Sequence, residues 1–453
     1  MRKLLFDHAL LPGGWARSVG IDIEGGWIID VASGVPDEGR ERVRGIALPG
    51  LPNLHSHTFQ RALAGLAEVR GPAGDNFWSW RETMYRFLRA LTPDDIEAIA
   101  AYAFMEMLEG GFTAVAEFHY LHHDTDGQPF AALAEMSTRI IAAAAETGIG
   151  LTLLPSLYGY GGFGATPATD GQRRFLNDPD RFLKLVAGAR GPASCLPDAV
   201  VGIAPHSLRA VTPETLSLVV NVHKEGPIHM HAAEQVREVE DCVKWSGRRP
   251  VAWLLDNAKI DARWCLVHAT HMTADESRGL AESGAVAGLC PLTEANLGDG
   301  IFDAPTYMRA QGRFGVGSDS NIEITASGEL KQLEYNQRLA TLTRNVCSRA
   351  EGESTGVRLY NEALAGGERA LGRRIGSLAS GYRADIVVLD PAHPDLAAMT
   401  DDRWIDAYIF VAGKKAVDRV FVGGDNLVER GRHRARDRMQ ARYISVLRSV
   451  ARS

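Results

Sequence analysis

Two imidazoles, one residue apart, close an apolar segment at residues 48–57, LPGLPNLHSH. On an extended chain, side chains two apart share a face, so His55 and His57 aim at one point. Such a point suits a metal ion. With 14 histidines in 453 residues, a single HxH carries little weight unless other donors join it. Further along, His231 and Glu234 stand in HMHAAEQ, His268 in CLVHATH and Asp319 in GVGSDSN, each just after an apolar run. Three neutral imidazoles and one carboxylate from such a set would bind Zn²⁺ and leave room for a water. His229 shares a face with His231 but sits deeper and reads as a core residue. His271 and the cluster His119, His122 and His123 read as loop or supporting residues. The stretch AVVGIAPHSLRAV offers no lysine to bridge a metal pair, so a single metal is expected.

The elements that must carry these residues alternate. Thr92-Pro93-Asp94-Asp95 sets an N-cap, a proline at the first helical position and an acid three residues after the cap. Ile96, Ile99, Ala103 and Met107 then share a face, and Gly110-Gly111 ends the helix. TAVAEF follows as a buried strand. Helix and strand then alternate through LTLLPSLY, AVVGIAPH, PIHMHAAE, WCLVHAT, AVAGLCP and FGVGSDS. With LPGLPNLHSH that makes eight strands, most separated by helices. The pattern predicts an α/β fold, a (β/α)8 TIM-type barrel over 47–374 with its chemistry at the strand C-terminal ends. An open doubly wound sheet is the competing arrangement. Residues 1–46 and 375–432 hold short β-like pieces split by turn dipeptides. Neither end has the apolar mass to fold alone, so both termini are expected to build one small β-sandwich domain. LYNEALAGGERALG reads as a linking helix, 433–453 as a basic C-terminal helix, and FWSWRETMYRF as a loop after the first barrel strand.

Apolar residues at 45% and charged residues at 23% fit a soluble globular protein. No apolar run is long enough to span a membrane, and MRKLLFDHALLPGG lacks the pattern of a signal peptide. Five cysteines without a CxxC exclude a cysteine metal cluster and fit reduced thiols in the cytoplasm. A net charge of −7 gives no footprint for nucleic acid.

The set HSH, HAAE, VHATH and SDSN resembles the amidohydrolase superfamily, in the branch of guanine and S-adenosylhomocysteine deaminases. CPLTEANLGDGIF, HSHTFQRALAG and HSLRAV are most similar to its formiminoglutamate deiminases, over nearly the whole chain. The resemblance implies one divalent metal, Zn²⁺, on His55, His57, His231 and Asp319. It implies catalytic roles for Glu234, His268 and Asp319, and substrate contacts from Gln60, Arg81, Tyr120, His206 and Arg209. It also implies a cytoplasmic homodimer that converts N-formimino-L-glutamate to N-formyl-L-glutamate and ammonia in histidine degradation. A small dicarboxylate calls for guanidinium partners, and Arg81 and Arg209 are the candidates. The alternatives are a guanine or S-adenosylhomocysteine type deaminase of the same branch, and a barrel that serves as a non-catalytic scaffold.

Overall fold

A computed structural model describes residues 1–71 and 74–450. The last three residues of the expected helix 433–453 lie outside the described residues. The parallel strands Leu51–Ser56, Phe112–His119 and Gly150–Leu157 lie side by side, and every residue in them is buried. Helices that cover both faces of a parallel sheet demand such near-continuous apolar runs. The fourth segment differs from the expected strand. It is split into Val200–Val201 and Ala204–Pro205, both paired with Gly150–Leu157. Gly202 stands at the break, where a Cβ would press on the Pro227 carbonyl at 2.5 Å. The strands Ile228–Ala232, Trp264–His268, Val286–Leu289 and Arg313–Val316 form a second parallel sheet. Parallel bridges join the two sheets at both seams: Ser56 with Asp319, and Ile203 and Ser207 with Ile228 and His231.

Helices lie between most of these strands. Pro93–Glu109 begins at the Thr92 cap, with Asp95 completing a capping box. The segment FWSWRETMYRF is not a loop. Phe77–Leu88 is a helix, started by a capping box between Asn76 and Ser79. The linking helix runs Thr355–Leu371 and packs so close to Arg313–Val316 that a Cβ on Gly366 would collide with the Phe314 carbonyl.

Both termini contribute to one eight-stranded sheet. The antiparallel pairing of Glu41–Pro49 with Ile386–Leu389 is where the two ends of the chain meet. A small apolar core of its own, including Phe6, Ile21, Val43, Ile386 and Phe421, fills the inside of this sheet. The helix Arg436–Val450 lies on Pro93–Glu109, where Tyr443 stacks on Tyr102 at 4.1 Å. No described helix is long and apolar enough to cross a membrane.

Candidate active site

Period two brings His55 and His57 to one point at the end of the first parallel strand, with their Nε2 atoms 3.2 Å apart. His231, from the end of Ile228–Ala232, sets its Nε2 3.2 Å from that of His55 and 3.3 Å from that of His57. Asp319 Oδ1 stands 3.3 and 3.4 Å from the Nε2 atoms of His55 and His57. His57 Nδ1 donates to the Phe118 carbonyl at 2.7 Å, and His231 Nδ1 donates to the His206 carbonyl at 3.0 Å. Those bonds put the proton of each neutral ring on Nδ1. The two Nε2 lone pairs therefore face each other across 3.3 Å, an arrangement that repels unless a cation lies between them. Burial pulls His55 down to about 3, and it lowers His57 and His231 as well, so all three rings are neutral donors. Burial works against the charge of Asp319, but the bond to His55 and the charge on His268 outweigh it and keep the carboxylate ionised. The donor set and its tautomers fit a divalent cation.

A polar network ties the two strand ends that carry these donors. Asn53 Nδ2 donates to Ser318 Oγ at 2.7 Å, and its Oδ1 accepts from Ser318 N at 3.1 Å and His55 N at 3.3 Å. Asn321 Nδ2 reaches Ser56 Oγ and the His57 carbonyl. The backbone is strained at two residues of this cluster: His268 has φ +67° and Asp319 φ +43°.

His268 stands between acids. Its Nδ1 is 3.3 Å from Glu294 Oε1, and its Nε2 is 3.7 Å from Glu234 Oε1 and 4.0 Å from Asp319 Oδ2. Burial lowers its pKa, but Glu234, Glu294 and Asp319 more than reverse this and push it up to about 10. Burial raises Glu234 to about 7 against the pull of His268 and Arg209. A buried proton donor beside an imidazolium is equipped for general acid and base work near neutral pH.

These groups open onto a cavity of about 520 Å³, open solvent included. Gln60, Arg81, Tyr120, His206 and Arg209 line it, with His57, His231, Glu234, His268 and Asp319. Gln60 donates to Tyr120 Oη at 2.8 Å. Arg209 Nη2 lies 3.7 Å from Glu234 Oε2, while Arg209 Nη1 and Arg81 Nε are buried without a hydrogen-bond partner. His55 sits beneath this cavity and does not line it. His229 bonds the Ala370 carbonyl, His271 the Asp299 carbonyl, His122 the Ser156 carbonyl and His123 the Leu176 carbonyl. None of these four, nor His119, is among the lining residues.

Sequence reasoning missed Glu294 and Asp299. Glu294 holds His268, and it also accepts from Cys290 N at 2.9 Å. Asp299 sits within 4.8 Å of the Glu234 and His268 ligand atoms, and Gln235 bonds its carboxylate. Both acids lie in CPLTEANLGDGIF, where two carboxylates after an apolar strand were the available signal. Also missed was Glu117, which accepts from Thr58 N and Oγ1 at 2.7 Å and so secures the turn after His57.

The chain belongs to the amidohydrolase family, which it matches over residues 46–427. More particularly, it is 49% identical over 449 residues to a formimidoylglutamate deiminase of Pseudomonas aeruginosa, covering 99% of each chain. A crystal structure of an amidohydrolase from Brucella melitensis superposes with a TM-score of 0.96 at 50% identity, with both chains fully covered. An adenosine deaminase from Xanthomonas campestris with bound zinc shares the fold: TM-score 0.81, 19% identity, 100% and 98% of the chains covered.

Proposed function

We propose that this chain hydrolyses N-formimino-L-glutamate to N-formyl-L-glutamate and ammonia. It is a metal-dependent hydrolase acting on a C–N bond, and the reaction is a step of histidine degradation. Full-length identity of 49% to a formimidoylglutamate deiminase supports the substrate. The observation within the site that carries it is the pair Arg81 and Arg209, which line the cavity of Glu234 and His268 and each hold one buried N–H without a hydrogen-bond partner. Guanidinium donors held ready in this way suit the two carboxylates of a glutamyl substrate.

The reading gives each residue a task. His55, His57, His231 and Asp319 would hold one Zn²⁺, which makes a water a competent nucleophile near neutral pH. Asp319 accepts the proton that the water loses. Protonated His268 orients the attacking water and faces the oxygen charge that develops as the formimino carbon becomes tetrahedral. Glu234 gives its proton to the imino nitrogen; the proton held by Asp319 then passes to the same nitrogen, the hydroxyl on the tetrahedral carbon returns its proton to Glu234, and the C–N bond breaks to release ammonia and leave the formyl group. Gln60, Tyr120 and His206 orient the substrate between the two arginines. The parallel sheets close a (β/α)8 barrel over 47–374, a reading supported by the bridges at both seams. Residues 1–46 and 375–432 form the small β-sandwich domain, supported by the separate core inside their sheet. The cytoplasmic location is supported by the resemblance and by the cysteine pattern, and the homodimer by the resemblance.

One observation favours a nucleobase deaminase: Phe77, Trp80, Tyr85, Tyr158 and Phe175 also line the cavity and would stack on a planar base. The arginine pair weighs against it, because a neutral purine offers neither guanidinium a carboxylate and leaves Arg81 without an ion-pair partner. Ammonia release measured side by side on formiminoglutamate and guanine separates the two. Turnover of formiminoglutamate alone is expected; turnover of guanine alone would overturn the assignment.

A further inference from the structure

Three guanidinium groups surround one indole, and two of them, from Arg81 and Arg209, belong to residues that line the cavity. The Cζ atoms of Arg81, Arg237 and Arg209 lie 4.5, 4.9 and 5.8 Å from the Trp78 ring centroid. Arg209 has Glu234 at 3.7 Å and Arg237 has Asp241 at 3.6 Å, whereas Arg81 makes no ion pair among the described residues. Gathering like charges costs Coulomb energy that carboxylates at these distances offset only in part. An aromatic face recovers some of it, because the ring quadrupole attracts each cation. An aromatic partner also differs from a carboxylate in what it leaves behind. A carboxylate consumes the in-plane N–H donors of a guanidinium, while a ring face leaves them free. That matches the unpartnered Arg81 Nε and Arg209 Nη1.

Trp78 sits on the helix Phe77–Leu88 together with Arg81. Arg209 comes from the segment after the fourth strand, and Arg237 from the helix Val236–Ser246, just beyond Glu234. The indole is thus a shared support for cations from three separate segments. Arg81 and Arg209 can be no farther apart than their two distances to the ring allow.

We propose that Trp78 is a positioning residue that sets the separation of the Arg81 and Arg209 guanidiniums, and through it the length of dicarboxylate the cavity accepts. The inference rests on the formiminoglutamate reading above. It makes Trp78 a specificity determinant that touches neither the reacting carbon nor the metal ligands.

The test uses the full chain loaded with zinc. It compares Trp78→Leu, which keeps apolar volume but has no ring face, with Trp78→Phe, which keeps a face. Substrates are the N-formimino derivatives of L-glutamate and of L-aspartate, which is one methylene shorter. Trp78→Leu is expected to raise KM for the glutamate derivative about tenfold, with kcat within about twofold, and to shrink the preference for glutamate over aspartate about fivefold. Trp78→Phe is expected to keep KM and preference within about threefold of wild type. An unchanged KM and preference in Trp78→Leu, or a fall in kcat at constant KM, overturns the inference. If Trp78→Leu does not fold, as circular dichroism would reveal, Trp78→Met, which also lacks a ring face, takes its place under the same limits. Wild-type protein that fails to turn over formiminoglutamate overturns the functional reading and this inference with it. Active wild type beside an indistinguishable leucine variant overturns this inference only.

Discussion

Glu234 shows how one side chain takes its chemistry from its surroundings. A carboxyl in water titrates far below neutrality, but burial lifts this one to about 7. A raised carboxyl holds its proton below that value and loses it above. If Glu234 is the acid that protonates the leaving nitrogen, kcat/KM falls on the alkaline side with an apparent pKa near 7. An activity profile that stays flat from about pH 6 to 9 contradicts that role. Glu234→Gln removes the proton altogether; kcat is expected to drop by about 10²–10⁴ while zinc content, measured by elemental analysis, stays at the wild-type level. Glu294 acts one residue further back, through its 3.3 Å contact with His268 Nδ1. Glu294→Gln keeps the shape but loses the charge that favours the imidazolium, so kcat is expected to fall about 10–100-fold with little change in KM. A KM effect of that size with kcat preserved would place Glu294 in substrate binding instead.

Strand ends, joined in pairs, set where the donors stand. Ser56 bridges Asp319, and Asn53 reaches across the same seam to Ser318 while also accepting from the backbone of His55. One amide thus holds the HxH strand against the loop that carries the aspartate. Its replacement leaves buried N–H groups unpaired and lets the two strand ends drift. Asn53→Ala is expected to weaken zinc binding about 10–100-fold, read by competition with a chelator. Unaltered zinc affinity would mean that packing alone holds the ligands. The helix Phe77–Leu88 teaches a different lesson at this scale. Its sequence repeats apolar residues at 77, 80, 84, 85 and 88, the spacing of a helical face, but Trp78 and Phe87 lie off that face and blur the pattern. Its apolar side in fact faces the cavity mouth, where Phe77, Trp80, Met84 and Tyr85 line the wall. The Asn76 to Ser79 capping box was the local signal that a helix starts there.

Across the whole molecule, the C-terminal helix fastens elements far apart in the chain. Tyr443 stacks on Tyr102, Arg442 bonds Glu97 and Glu146, and Arg436 pairs with Glu109. Ending the chain at residue 435 uncovers Pro93–Glu109 and leaves half-buried Glu109 without its arginine. Thermal unfolding is expected several degrees lower than for the full chain; an unchanged midpoint would reduce the helix to decoration. The sequence by itself determined which residues could do the chemistry. Period two aims His55 and His57 together, and apolar runs ending in His231, His268 and Asp319 put those side chains at strand C-termini, since both features are local properties of an extended chain. It also revealed the helix cap at Thr92, which acts over three residues, though not the one at Asn76. Tertiary structure alone decided the rest. The Phe118 and His206 carbonyls fix the tautomers of His57 and His231. Gly202 breaks the fourth strand where Pro227 comes close, and Glu294 and Asp299 gather around His268 and Glu234. These depend on groups brought together from distant parts of the chain, and the desolvation that lifts Glu234 exists only once folding has buried it.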